Sequence, residues 1–131
     1  MPKMIVDIDF TIAFSEKIHG LGKWDYENAL PSIQVIEKLN KMHDAGWQIV
    51  YFTARGMLTY HNDITKINEN VLPQLERWLQ KHNVKYDEII IGKPFADHGY
   101  YIDDRAIRPV EFLRHTTEEL EQICERDKVR P

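Results

Sequence analysis

The sequence predicts an α/β fold, one domain over residues 1–131 built on a parallel sheet with helices on both faces. Three observations predict it. Short β-branched apolar runs alternate along the chain with amphipathic stripes of helical spacing. The runs are solidly apolar rather than alternating, as strands covered on both faces are. No repeat, low-complexity tract or linker interrupts the 131 residues, which are 43% apolar and 29% charged, and a chain of that length buries a core without disulfide or metal staples.

Residues 4–8 form the first run, which ends in acids and reads as a buried strand. Residues 9–30, with Gly20 and Gly22 and no steady period, read as a loop or small flap. Pro31 suits a helix first turn. Ile33, Ile36, Leu39 and Met42 then make an apolar stripe that Gly46 stops. Residues 47–52 are the second strand, broken by Thr53-Ala54-Arg55-Gly56, and a polar loop runs to about Thr65. Val71, Leu72, Leu75, Trp78 and Leu79 share a second helical face that ends near Asn83. Residues 88–91 are the third strand, closed by Gly92-Lys93-Pro94, and residues 100–102 the fourth, ending in Asp103-Asp104. Thr116 and Glu119 have capping-box spacing, before a terminal helix edged by Leu120, Ile123 and Cys124.

Seventeen basic and 21 acidic side chains give a net charge of −4, without the basic stripe of a nucleic-acid binder. The single cysteine, Cys124, permits no internal disulfide and suits a reducing compartment. Asp7 follows only a brief apolar run, unlike a secretory signal. Nowhere do ~18 apolar residues follow one another, as a membrane span requires. The expected location is the cytoplasm. The six histidines lack dense ligand spacing, which argues against zinc, although His98 can line a cleft. Trp24, Trp47 and Trp78 read as packing residues, and Cys124 as core.

Four polar features fall at carboxyl ends of predicted strands: Asp7-Ile8-Asp9-Phe10-Thr11, Thr53, Lys93 and Asp103-Asp104. In open α/β sheets the ligand crevice lies beyond those ends. Each feature alone has a plain reading. The acids could serve turns, Thr53 could cap a helix, and Lys93 could be a surface lysine. Together they deliver a hydroxyl, an ammonium and four carboxylates toward one place.

In that order these features resemble the haloacid dehalogenase superfamily of phosphatases, over about residues 4–113. Asp7-Ile8-Asp9-Phe10-Thr11 is similar to its Asp-x-Asp-x-Thr motif, Thr53 to its second, Lys93 to its third and Asp103-Asp104 to its fourth. Phe52-Thr53-Ala54-Arg55-Gly56-Met57, Gly92-Lys93-Pro94 and Tyr101-Ile102-Asp103-Asp104-Arg105 further resemble its small capsule- and surface-polysaccharide phosphatases. The family has glycine where Phe10 stands, and a ring there narrows the mouth of the cleft.

The resemblance implies a Rossmann-like domain and a magnesium-dependent phosphomonoester hydrolase, with a sugar phosphate of polysaccharide precursor synthesis as substrate. Asp7 would be the nucleophile and Asp9 the general acid, then base. A strand aims both at one face, and crowding by neighbouring carboxylates favours a proton on Asp9. Thr53 and Lys93 would hold the phosphoryl group. Magnesium would fall to Asp7, the Asp9 carbonyl, Asp103 directly and Asp104 through water. Arg55 has two readings, a contact to substrate phosphate or sugar and an ion pair with a surface acid, and Arg105 has the same two. The intervals between motifs are too short for a cap domain, so the cleft would be open to bulky substrates or covered by a second copy of the chain. Other readings are a nucleotide phosphatase, an idle relative serving as a binding module, and a signalling receiver, which places its paired acids first rather than last.

Overall fold

The computed structural model describes residues 1–20 and 23–131, so Gly22 lies outside the described residues, and the chain divides into two compact units, Met1–Phe95 and Ala96–Pro131. The first unit opens with β1 (Lys3–Val6). A flap follows, made of β2 (Ala13–Phe14), β3 (Lys17–Ile18), β4 (Lys23–Trp24) and β5 (Leu30–Pro31). In it β2 pairs antiparallel with β5, and β3 with β4. Then come α1 (Ile33–Asp44), β6 (Gln48–Thr53), α2 (Ile64–Asn70), α3 (Leu72–Lys81) and β7 (Glu88–Ile91). The main sheet is parallel, in the order β1-β6-β7, with Val6 opposite Tyr51 and Thr53 opposite Ile91.

The first unit is therefore mixed α/β, and its core lies where β6 and the helices meet. Ile49, Val50, Tyr51, Leu39, Leu75 and Leu79 are almost fully buried. Burying each such side chain contributes about 1.5–3 kcal/mol. A second cluster, Met57, Ile67 and Val71, packs beneath Gly56. Gly56 has φ +87°, and a Cβ there would stand 2.9 Å from Val71 Cγ2, so both backbone and space require glycine.

Several expectations are corrected. Pro31 pairs with Ala13 in β5 instead of opening the helix, which starts at Ile33 after Ser32. Ile33 is exposed and Val35 takes its place on the buried face, because the helical repeat is 3.6 residues rather than three. Gly46, at φ +101°, follows α1 as expected. The polar loop gives way to α2 at Ile64, where the Asp63 side chain accepts from Lys66 N. The first strand ends at Val6 and is only half-buried, with Ile5 exposed. Trp78 is buried, but Trp24 is partly exposed on the flap.

The second unit contains α4 (Pro109–Arg114) and α5 (Thr117–Arg126). The capping box forms: Thr116 Oγ1 accepts from Glu119 N, and Glu119 Oε1 from Thr116 N. Leu120 and Cys124 are buried. The fourth strand does not form, and Tyr100 and Ile102 are exposed. The three-residue run bonds locally instead of joining a ladder. Tyr101 Oη accepts from Ala96 N, and Asp103 Oδ1 accepts from Arg105 N, which turns the chain. His98 lies in this unit, its side chain almost wholly exposed. No helix among the described residues is long and apolar enough to cross a membrane.

Candidate active site

The site of the first unit is built at the carboxyl ends of β1, β6 and β7. After β1 the chain wraps around the Ile8 carbonyl, which accepts from the backbone N–H groups of Thr11, Ile12 and Ala13. Ile8 and Ile12 are fully buried and anchor this turn. Asp7 and Asp9 flank Ile8 and stay partly exposed, so the alternation expected of a strand persists past its end. Phe10 completes the turn at φ +63°, a left-handed conformation that favours glycine.

Asp7 is engaged on both oxygens. Lys93 Nζ lies 3.3 Å from Oδ1, and Thr11 donates to Oδ2 at 3.1 Å. Lys93 reaches it from just beyond β7, where its backbone N–H donates to the Thr53 carbonyl at 3.1 Å. That bond carries the β6–β7 pairing past the end of β7. Thr53, the last residue of β6, is buried, and its Oγ1 accepts from Arg55 N at 3.0 Å. This is a local hydroxyl turn, and no helix starts there. The hydroxyl keeps its own proton for donation.

Asp9 has a different partner. Arg55 grips it with a fork, Nη2 to Oδ1 at 2.7 Å and Nε to Oδ2 at 3.3 Å. The Arg55 side chain is 2% exposed, against 26% for Asp9. Arg55 Nη1 also donates to Gln74 Oε1 on α3, and the guanidinium lies 4.0 Å from the centre of the Tyr26 ring. Burial, and then the Asp9 charge, push the Tyr26 hydroxyl's pKa up, while Arg55 opposes them. Arg55 is thus no surface ion pair, and its described contacts are to protein groups. Removing the Asp9 carboxylate would strand a buried guanidinium charge, at a cost of up to about 3–5 kcal/mol.

The structure therefore brings Asp7, Thr11 and Lys93 into one contact group and Asp9, Arg55, Gln74 and Tyr26 into another, joined through Thr53. Asp103 and Asp104 belong to the second unit, where Asp103 holds the turn at Arg105 and Arg105 pairs with Glu121. The Asp7 carboxylate and the Asp9 carbonyl are hard oxygen donors of the type magnesium accepts. Sequence reasoning missed Tyr26 and Gln74. Gln74 sits one turn before Trp78 on the second helical face, a faint signal, and nothing marks Tyr26.

Fold and site together define a mixed α/β protein with an acid–lysine pair and an acid–arginine fork at the carboxyl edge of a parallel sheet. The chain is similar to a structural-genomics target from Vibrio cholerae whose crystal structure matches it with a TM-score of 0.87 and 46% sequence identity, over 98% of this chain and 100% of that one. It belongs to the family of that Vibrio cholerae protein. No model of a known protein family matches the chain, and no curated protein does.

Proposed function

We propose that the protein is a magnesium-dependent phosphomonoesterase that works through an aspartyl-phosphate on Asp7, with a sugar phosphate as substrate and polysaccharide precursor synthesis as its setting. The observation that carries this reading is the Asp7–Lys93 contact beside Thr53 at the ends of three adjacent parallel strands. A carboxylate attacks a phosphoryl group only when the repulsion between two anions is offset, and Lys93 brings a positive charge to that point. The motif order of the haloacid dehalogenase phosphatases supports the same reading.

In the first step an Asp7 oxygen bonds to phosphorus as the bond from phosphorus to the ester oxygen breaks. Asp9 gives its proton to the departing alcohol. In the second, a water oxygen bonds to phosphorus, the bond to Asp7 breaks, and the water's proton passes to Asp9. Phosphate leaves and both acids return to their starting states. Thr53 donates its hydroxyl proton to a phosphoryl oxygen, and Thr11 holds the second Asp7 oxygen. Asp7 and the Asp9 backbone carbonyl would hold magnesium, which would neutralise phosphoryl charge.

The test is phosphate release from a panel of sugar phosphates, nucleotides and p-nitrophenyl phosphate, with magnesium and with a chelator. Wild type is expected to turn over at least one ester only with magnesium, and folded Asp7→Asn none. Equal rates for the two proteins would discard Asp7 as nucleophile. No turnover by wild type favours an idle binding module. Sizing the protein in solution tests whether a second copy covers the open site.

A further inference from the structure

We propose that Arg55, seated on Tyr26 and tied to Gln74, is a positioning residue that holds the Asp9 carboxylate in the orientation for proton transfer and does not bind the substrate phosphate. This rests on the phosphomonoesterase reading above.

The geometry separates the two roles. A guanidinium that binds substrate has to present free N–H groups to solvent. Here three of the five N–H donors are taken, Nε and one of Nη2 by Asp9 and one of Nη1 by Gln74, and the side chain is 2% exposed, so the other two do not face solvent. Its flat face lies against Tyr26, 4.0 Å from the ring centre, which opposes a swing out of the site. Thr53 fixes the same residue from behind, through the Arg55 backbone N–H. The side chain is thus fixed at base, face and tip.

A carboxylate has about four lone-pair sites, and two parallel N–H bonds take one from each oxygen. One site per oxygen stays available for the proton that Asp9 gives and later takes back. What the fork removes is rotation of the carboxylate about its Cβ–Cγ bond. A proton donor fixed in this way matters most when the departing alkoxide is basic, and least when it leaves readily without help.

The experiment compares an alkyl ester, such as glycerol phosphate or a hexose phosphate, with p-nitrophenyl phosphate in the magnesium-loaded protein. Arg55→Gln is expected to lower kcat for the alkyl ester about 100-fold and for the aryl ester less than about fivefold, with both KM values nearly unchanged. Arg55→Lys, which keeps the charge on a single donating nitrogen but loses the fork, should fall between wild type and Arg55→Gln. Adding Asp9→Asn to Arg55→Gln should lower the alkyl rate no further than Asp9→Asn alone. Should Arg55→Gln fail to fold, Gln74→Leu decides, because it loosens the fork without stranding a charge and should shift the alkyl-to-aryl ratio the same way.

Equal losses for both esters would overturn the inference and leave the enzyme reading standing. A raised KM with kcat retained would make Arg55 a phosphate ligand, and overturn it equally. Failure of wild type to cleave either ester, or any of the wider panel, removes the phosphomonoesterase reading and this inference with it.

Discussion

Lys93 Nζ lies 3.3 Å from Asp7 Oδ1, across 86 residues of chain. The contact exists because β1 and β7 both pair with β6 in parallel, so their carboxyl ends emerge on one side of the sheet. Lys93 is placed by its own backbone bond to Thr53 at that edge. Its ammonium is the positive charge set against Asp7. Lys93→Met keeps the stem and its packing but removes the charge, and it should lower kcat for any ester substrate by about 10²–10³-fold. Steady-state rates, with folding checked by circular dichroism, measure this.

Phe10 adopts φ +63° and holds edge-to-face contacts with Phe14 and Trp24, centroids 5.9 and 5.5 Å apart. Phe10→Ala loses both ring contacts and keeps the backbone strain, whereas Phe10→Gly loses the contacts and relieves it. The left-handed conformation costs a non-glycine residue about 1–2 kcal/mol. The glycine variant should therefore be the more stable of the two by about 1 kcal/mol, the reverse of the usual order. Urea unfolding of both variants at one pH tests it, and an alanine variant equal to or more stable than the glycine variant would contradict it.

Tyr51 is fully buried, and its hydroxyl finds no hydrogen-bond partner among the described residues. Burial pushes its pKa up, as it does that of Tyr26. Above about pH 10 the unfolded chain releases these protons while the folded chain keeps them, so stability falls as pH rises through that range. Tyr51→Phe removes one such group together with an unsatisfied polar atom. It should raise stability at pH 7 by about 1 kcal/mol and make the alkaline decline less steep. Thermal melts at pH 7 and pH 10.5 measure both effects.

Asn40 on α1 bonds twice to the segment after α3, its Nδ2 donating to the Asn83 carbonyl and its Oδ1 accepting from Lys85 N, each at 2.9 Å. Asn83 sits at φ +54°, so this turn relies on an outside partner. Asn40→Ala should destabilise the fold by about 1–2 kcal/mol while leaving kcat near wild type, because Asn40 serves the β7 approach and touches none of the site residues. Denaturant unfolding and a rate assay on the same sample separate the two effects.

Elements held by short-range energies were legible in the sequence. The apolar run that became β6, the stop at Gly46 and the Thr116–Glu119 capping box each depend on groups within a few residues of one another. Asp7, Thr53 and Lys93 could be picked out for the same reason, each marking where an apolar run stops. Pro31 and residues 100–102 were misread because local composition allows more than one state there. Pairing with Ala13 decided the first, and bonds to Ala96 and Arg105 decided the second. The grip of Arg55 on Asp9, 46 residues apart, left no trace in the sequence. A guanidinium's partner depends on which elements fold beside it, so Tyr26 on the flap and Gln74 on α3 acquired their roles only when packing buried the arginine between them.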